Sequence, residues 1–303
     1  MNVLSLFDGI SCARVALGYA NIKVKEYYAC EIEKNAILIS KKNYPDIKQL
    51  GSVIDFKREM INGEIDLLIG GSPCQDLSIA KKDRKGLEGE RSSLFWDYVR
   101  IKNELKPKYF ILENVASMPN EARDIISEAM GCKPILFNAS LVSAQTRKRY
   151  FWTNIGFELP DDRDIILKDI LQPPGEVDER MVNKDKKSYT LTATYNGATI
   201  KNSIERKQRT MVKIGTMGKN YNQGNSVYSP EGKSCALSAN GGGLGANTGL
   251  YLVDTIRKLT PIECERLQSL PDNYTEGIAN TNRYKVLGNA FNANVVAHIL
   301  SYI

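Results

Sequence analysis

"NVLSLFDGISCARVALGYANIKVKEYYACEIE", Asn2 to Glu33, decides the fold. "NVLSLF" is an apolar run of strand type, "ISCARVALGYA" carries helical spacing, and "EYYACEI" is a second strand. A strand, a helix and a strand in so short a span predict a parallel pair joined by a crossover helix. The pattern continues outward. "KNAILISKKNY" predicts a helix with Ala36, Ile37, Ile39 and Ser40 available for packing. "IDLLIGG" and "YFILENV" predict strands on either side of "SLFWDYVRIKNEL", whose Leu94, Phe95, Tyr98 and Ile101 fall at helical spacing. "RDIISEAMGC", "ILFNASLV" and "YFWTNIG" extend the alternation. The expected class is α/β, an open and mostly parallel sheet covered by helices. Such sheets bind ligands beyond the carboxyl ends of their strands.

Chemistry-bearing residues recur at those ends. After the first strand, "LFDGISCARVALG" lacks the G-x-G-x-x-G phosphate fingerprint, so it offers no pyrophosphate cradle. It offers instead an acid, Asp8, beside a turn glycine, Gly9. The second strand ends in "ACEIE", which places Glu31 where a carboxylate can hold ribose hydroxyls. Acids on two successive strand ends imply an adenosine-type cofactor. "IGGSPCQDLSIA" (Ile69–Ala80) then leaves its strand through glycines, with Cys74 directly behind Pro73. Taken alone, this is either a buried core thiol or a presented nucleophile. The following strand ends in Glu113, where burial behind an apolar run would raise the carboxyl pKa and suit a general acid. "QTRKRYF" sets Gln145, Arg147 and Arg149 at alternating positions, predicting one shared face.

Composition narrows the chemistry. Hydrophobic residues at 42% and charged residues at 25% suit a soluble globular chain of 303 residues, long enough for one large domain or two. No apolar run approaches membrane-span length, and "MNVLSLFDGI" lacks the features of a signal peptide, so a cytoplasmic, reducing location is expected. The six cysteines show no CxxC spacing, which argues against zinc and a disulfide framework. His298 is the only histidine, in an apolar C-terminal stretch, so histidine-dependent triads and metal sites are disfavoured. Net charge is +6, and the segment Met181–Lys213 carries all of it, which suggests a polyanionic partner if it is more than a solvated face.

Past about Ile165 the alternation stops. Residues 172–250 are rich in Gly, Asn, Ser, Thr and Tyr, with short β-like runs "SYTLTAT" and "SCALSAN". A small, irregular second domain is expected. "TPIECERLQSL" resumes as a helix capped by Thr260, with Pro261 in its first turn and Glu263 supporting its start. "NVVAHILSYI" predicts an apolar closing helix.

In order and spacing, "LFDGI", "CEIE", "GGSPCQDLS", "ENVASM", "QTRKRYFW", "RKLTPIECERLQSLPD" and "LGNAF" resemble the signature blocks of the cytosine-5 DNA methyltransferases. They leave only residues of about 172–255 outside, the place of that family's variable target-recognition region. "DLSIAKKDRKGLEGERSSLF" is particularly similar to the animal de novo branch. The resemblance implies a Rossmann-like methyltransferase fold with catalytic and cofactor-binding residues 1–165, target recognition in 166–255 and a C-terminal segment 256–303 returning to the catalytic domain.

It further implies S-adenosyl-L-methionine as cofactor and transfer of its methyl group to carbon 5 of a cytosine flipped out of double-stranded DNA. Cys74 would be the nucleophile toward carbon 6, Glu113 the acid at ring N3, and Arg147 a contact to the base, with Arg149 behind it. Asn114 would shape the turn. Phe7, Asp8, Gly9, Glu31, Pro73, Asn289 and Ala290 would bind cofactor. Where the family often has Gly-Asp, this chain has "LGSVIDF", so Ser52 and Val53 would stand at the adenine, with Asp55 three residues after Ser52. Gln75, Ser78, Lys82, Arg84, Thr192 and Asn240 are the expected DNA contacts, the loop Lys81–Arg91 acting as a flap. His298 is expected to pack in the helix that returns beside the first strand. A monomer is expected, and a restriction endonuclease would be a separate chain. One branch with the same blocks modifies tRNA, and a catalytically silent DNA-binding relative is a further alternative. A Rossmann-type oxidoreductase is disfavoured by the missing phosphate fingerprint.

Overall fold

The apolar runs become β1 (Asn2–Leu6), β2 (Glu26–Cys30), β4 (Leu67–Gly71) and β5 (Tyr109–Val115), and the short, partly exposed "KQLG" adds β3 (Lys48–Gly51) at the sheet edge. The computed structural model describes residues 1–73, 94–172, 213–216, 226–237, 250–252, 256–257 and 259–303. Consecutive strands are joined by α1 (Cys12–Tyr19), α2 (Lys34–Asn43) and α3 (Leu94–Leu105), with α4 (Asn120–Met130) after β5. Two short strands, β6 (Ile135–Asn138) and β7 (Lys148–Thr153), complete a sheet of order β3-β2-β1-β4-β5-β7-β6. Neighbours from β3 to β5 are parallel, whereas β7 runs antiparallel to both β5 and β6. The sheet is therefore mixed and mostly parallel, as expected from the alternation. Leu4, Leu6, Leu68 and Leu112 are wholly buried because helices cover both faces. From α3, Phe95, Tyr98 and Ile101 point into this core, and the Tyr98 hydroxyl donates to the Ile111 carbonyl at 3.0 Å. The chain grows outward from β1 to β3 and restarts on the other side at β4, which makes β1/β4 the switch point where such sheets open a crevice.

β7 begins at Lys148, so strand alternation covers Arg149 but not Gln145 or Arg147. The expected shared face of the three does not follow from one strand. Gln145 instead forms an isolated bridge with Ser234, and "SCALSAN" forms no further strand among the described residues. "SYTLTAT" lies outside them.

Two compact units emerge. One comprises Met1–Ala139, Lys148–Asp161 and Ala290–Ile303, the other Ser140–Arg147 and Asp162–Asn289. The second unit holds a sheet of order β11-β10-β9-β8, from β8 (Lys213–Thr216), β9 (Ser226–Tyr228), β10 (Leu250–Leu252) and β11 (Ile256–Arg257). Its buried Tyr228 and Tyr251 rings lie 5.6 Å apart. Helix α5 (Pro261–Leu267) starts at a reciprocal cap: the Thr260 hydroxyl accepts from the Glu263 N–H at 3.2 Å, and the Glu263 carboxylate accepts from the Thr260 N–H at 2.8 Å. α5 packs against α6 (Asn280–Asn289), with Arg283 held 2.8 Å from the buried Glu265.

In the first unit, α7 (Ala293–Leu300) is capped by Asn292, which accepts from the Val295 N–H at 3.1 Å, and it packs against α1. His298 sits among Phe137, Phe157 and Tyr302 with Nε2 2.7 Å from the Glu158 carbonyl, a packing position. No helix among the described residues is long and apolar enough to cross a membrane.

Candidate active site

The turn after β1 is locally costly. Phe7 (φ 57), Gly9 (φ 60) and Ser11 (φ 62) all take left-handed backbone, which only the glycine adopts freely. Such strain persists only where the surroundings fix it. Glu31 does so: one oxygen accepts from the Gly9 N–H at 2.7 Å, and the other from the N–H groups of Ile32 and Glu33 at 2.7 and 2.8 Å. Asp8 points inward, 4% exposed, and accepts from the Tyr27 hydroxyl at 2.7 Å and from the Ser11 hydroxyl. Because the single Ser11 proton serves Asp8, the Ser40 hydroxyl must donate to Ser11, and the Gln49 amide donates to Ser40 at 3.1 Å. A directed chain of donors thus runs from β3 through α2 to Asp8. Burial still dominates, pushing the Asp8 carboxyl up from 3.8 to about 6. Asp8 shapes this turn from below, whereas Gly9 and Glu31 lie at its surface.

That surface can take an adenosine-type ligand. A Cβ on Gly9 would meet nothing within 4 Å, so open space adjoins the turn backbone, with a carboxylate at the end of β2 beside it. After β3, the Ser52 hydroxyl accepts from the Ile54 N–H at 3.2 Å, while the Val53 side chain is buried and its carbonyl is held by Arg100 at 3.1 Å. Asp55 is exposed. Two residues were not anticipated from sequence. Ile32, directly after Glu31, is 72% exposed, and Ile54 is 62% exposed. An isoleucine following an acid at a strand end was the available signal.

At the ends of β4 and β5, Gly71 and Glu113 are register partners. Arg149 from β7 places Nε 2.8 Å from Glu113 Oε1, with the two side chains only 18% and 13% exposed. Asn114 is buried, and its amide donates to the Ser72 hydroxyl at 3.1 Å, tying the segment that leads to Pro73 onto β5. Cys74, Gln75, Ser78, Lys82 and Arg84 lie outside the described residues, as do Thr192, Asn240, the loop Lys81–Arg91 and nearly all of the basic segment.

Arg147 and Asn289 belong to the second unit. Arg147 is 5% exposed and donates to the carbonyls of Leu237 at 3.3 Å and Gly288 at 3.2 Å, while Asn289 is exposed. Ala290 is buried in the first unit, next to Phe291. Phe291 went unassigned in the sequence, although a methyl on Gly71 would meet its ring at 2.8 Å. Three of the described thiols are poor nucleophiles. Burial pushes Cys30 up to about 12, raises Cys132, and puts Cys264 well above the ordinary thiol range.

The chain matches the family model described as "C-5 cytosine-specific DNA methylase" over residues 1–303. It is 31% identical to the type II methyltransferase M.HhaI of Haemophilus parahaemolyticus, over 100% of this chain and 93% of that one. It is 28% identical to the type II methyltransferase M.NgoPII of Neisseria gonorrhoeae, over 100% of this chain and 95% of that one. Among solved structures, the methyltransferase EhMeth of Entamoeba histolytica shares the fold with a TM-score of 0.68 at 16% identity, covering 100% of this chain and 97% of that one.

Proposed function

The chain belongs to the C-5 cytosine-specific DNA methylase family, and on that premise we propose that it methylates carbon 5 of cytosine within double-stranded DNA, using S-adenosyl-L-methionine. The observation that carries this reading is a convergence in one unit. The carboxyl ends of β1, β2, β4 and β5 bring together an open, glycine-containing turn, Glu31, the Ser72–Pro73 exit and a paired Glu113.

The cofactor, when bound, supplies a methyl group made electrophilic by its sulfonium. Glu31 keeps lone pairs for the ribose hydroxyls, Phe7 and Gly9 border the methionine part, and Ile32, Ser52, Val53 and Ile54 border the adenine. Pro73, Asn289 and Ala290 complete the assignment.

Cys74 adds as thiolate to carbon 6 of the flipped cytosine, forming a sulfur–carbon bond. Glu113 holds a proton at N3, so the electron pair displaced by the thiolate is drawn through the ring and carbon 5 becomes nucleophilic. Once carbon 5 carries the methyl group, its proton passes to solvent water as the Cys74 thiolate departs, and the proton at N3 returns to Glu113, which restores the aromatic ring. Arg149 holds the Glu113 carboxyl, and Arg147 contacts the base. The region 166–255, with its basic run, reads the target sequence, and the loop Lys81–Arg91 closes over the base, with Gln75, Ser78, Lys82, Arg84, Thr192 and Asn240 touching DNA. The Cys74 assignment rests on the family block "GGSPCQDLS"; burial separately suppresses three of the other thiols.

The test supplies labelled S-adenosyl-L-methionine with duplex DNA or structured RNA, followed by base-resolution sequencing of the DNA. Label in duplex DNA at cytosine carbon 5 is expected. Label in RNA alone would replace this reading with the tRNA one, and label in neither would leave a DNA-binding relative.

A further inference from the structure

Phe291 has no part in the chemistry above, yet its ring stands over Gly71 at the end of β4, beside Glu113. A methyl group on Gly71 would lie 2.8 Å from its Cε1, 3.2 Å from its Cζ and 3.0 Å from Glu113 Oε2. The ring and the carboxylate therefore crowd one point from two directions, and only a glycine at the end of β4 lets them do so. Glu113 Oε1 is held by Arg149 at 2.8 Å, so the carboxyl has a cation on one oxygen, while the other shares the space over Gly71 with the aromatic ring. The backbone beneath the ring is anchored, because Phe291 directly precedes Asn292, the cap of α7, and α7 packs on α1. Residues 71, 113, 149 and 291 all belong to the first unit.

We infer that Phe291 is a positioning residue for the reaction, walling the Glu113 carboxyl across Gly71 so that Oε2 keeps one orientation toward the base. This inference rests on the proposed function. A carboxyl that can swing loses the advantage of a preset geometry at the step in which N3 gains its proton. Removal of the wall should then act on turnover while leaving cofactor binding unchanged.

The experiment compares wild type, Phe291→Ala, Phe291→Leu and Phe291→Tyr in methyl transfer to duplex DNA, with the melting-temperature rise produced by S-adenosylhomocysteine measured in parallel. Phe291→Ala should lower kcat at least tenfold, with KM for the cofactor and the melting rise within twofold of wild type. Phe291→Tyr, which keeps the ring, should recover most of the loss. Phe291→Leu should fall between and carries the test if the alanine variant does not fold. Wild-type kcat in the alanine or leucine variant would overturn the inference, as would a loss confined to cofactor KM. Inactivity of the wild type on DNA would instead sink the functional reading itself.

Discussion

Arg149 reaches diagonally across the β5–β7 pair, from its register partner Val115 to Glu113, and places its Nε 2.8 Å from the carboxylate. The pair is mostly withdrawn from solvent, so removing one member strands the other. Arg149→Ala should destabilise the fold by on the order of 3 kcal/mol and lower turnover at least tenfold. Arg149→Lys keeps the charge without the planar guanidinium and should fall between. Urea unfolding and steady-state kinetics check this; wild-type turnover in Arg149→Ala would show that Glu113 needs no such partner.

Asp8 makes stability depend on pH with a definite sign. Its folded pKa of about 6 exceeds the ordinary 3.8 because burial penalises the charged form. The folded state thus holds the proton more tightly. The contribution is fully present below about pH 4, is lost as pH rises through 6, and amounts to about 3 kcal/mol. Asp8→Asn removes that loss, so its stability relative to wild type should improve from pH 4 to pH 7. Parallel stability curves for the two proteins over that range would contradict the assignment.

Asn114 links the end of β5 to Ser72, two residues before the proposed nucleophile. Asn114→Ala should cost about 1–2 kcal/mol of stability, since a buried hydrogen bond is lost. It should also slow methyl transfer with little change in the melting rise caused by S-adenosylhomocysteine. An unchanged rate would show that the Ser72 anchor does not set the position of the following residues.

The alternating first half was legible because its strands are buried on both faces and its helices show one apolar side. Asn2–Leu6 and Leu67–Gly71 needed no long-range information to be read as strands. The β7 boundary was harder: "YFWTNIG" reads as a strand from Tyr150 and the alternation extends back to Gln145, whereas pairing with β5 and β6 starts the strand at Lys148. The acids at the strand ends were legible as types, but their orientation was not. Asp8 turns inward because Tyr27 and Ser11 supply donors there, while Glu31 stays out because backbone N–H groups hold it. The alternating arginines suggest a guanidinium beside the Glu113 carboxyl, and the β5–β7 pairing selects Arg149; the Ser72–Asn114 link and the Phe291 ring over Gly71 join segments far apart in the chain, and no local pattern announces them.

Covalent attack by Cys74 is the step on which the proposed methyl transfer depends, and trapping tests it most directly. A duplex carrying 5-fluorocytosine at the target, incubated with protein and S-adenosyl-L-methionine, should yield a denaturation-resistant protein–DNA adduct, because fluorine at carbon 5 cannot leave as a proton does. The adduct should be absent from Cys74→Ser, which should still bind DNA. Turnover on ordinary cytosine with no adduct on the fluorinated duplex, or an undiminished adduct in Cys74→Ser, would contradict it.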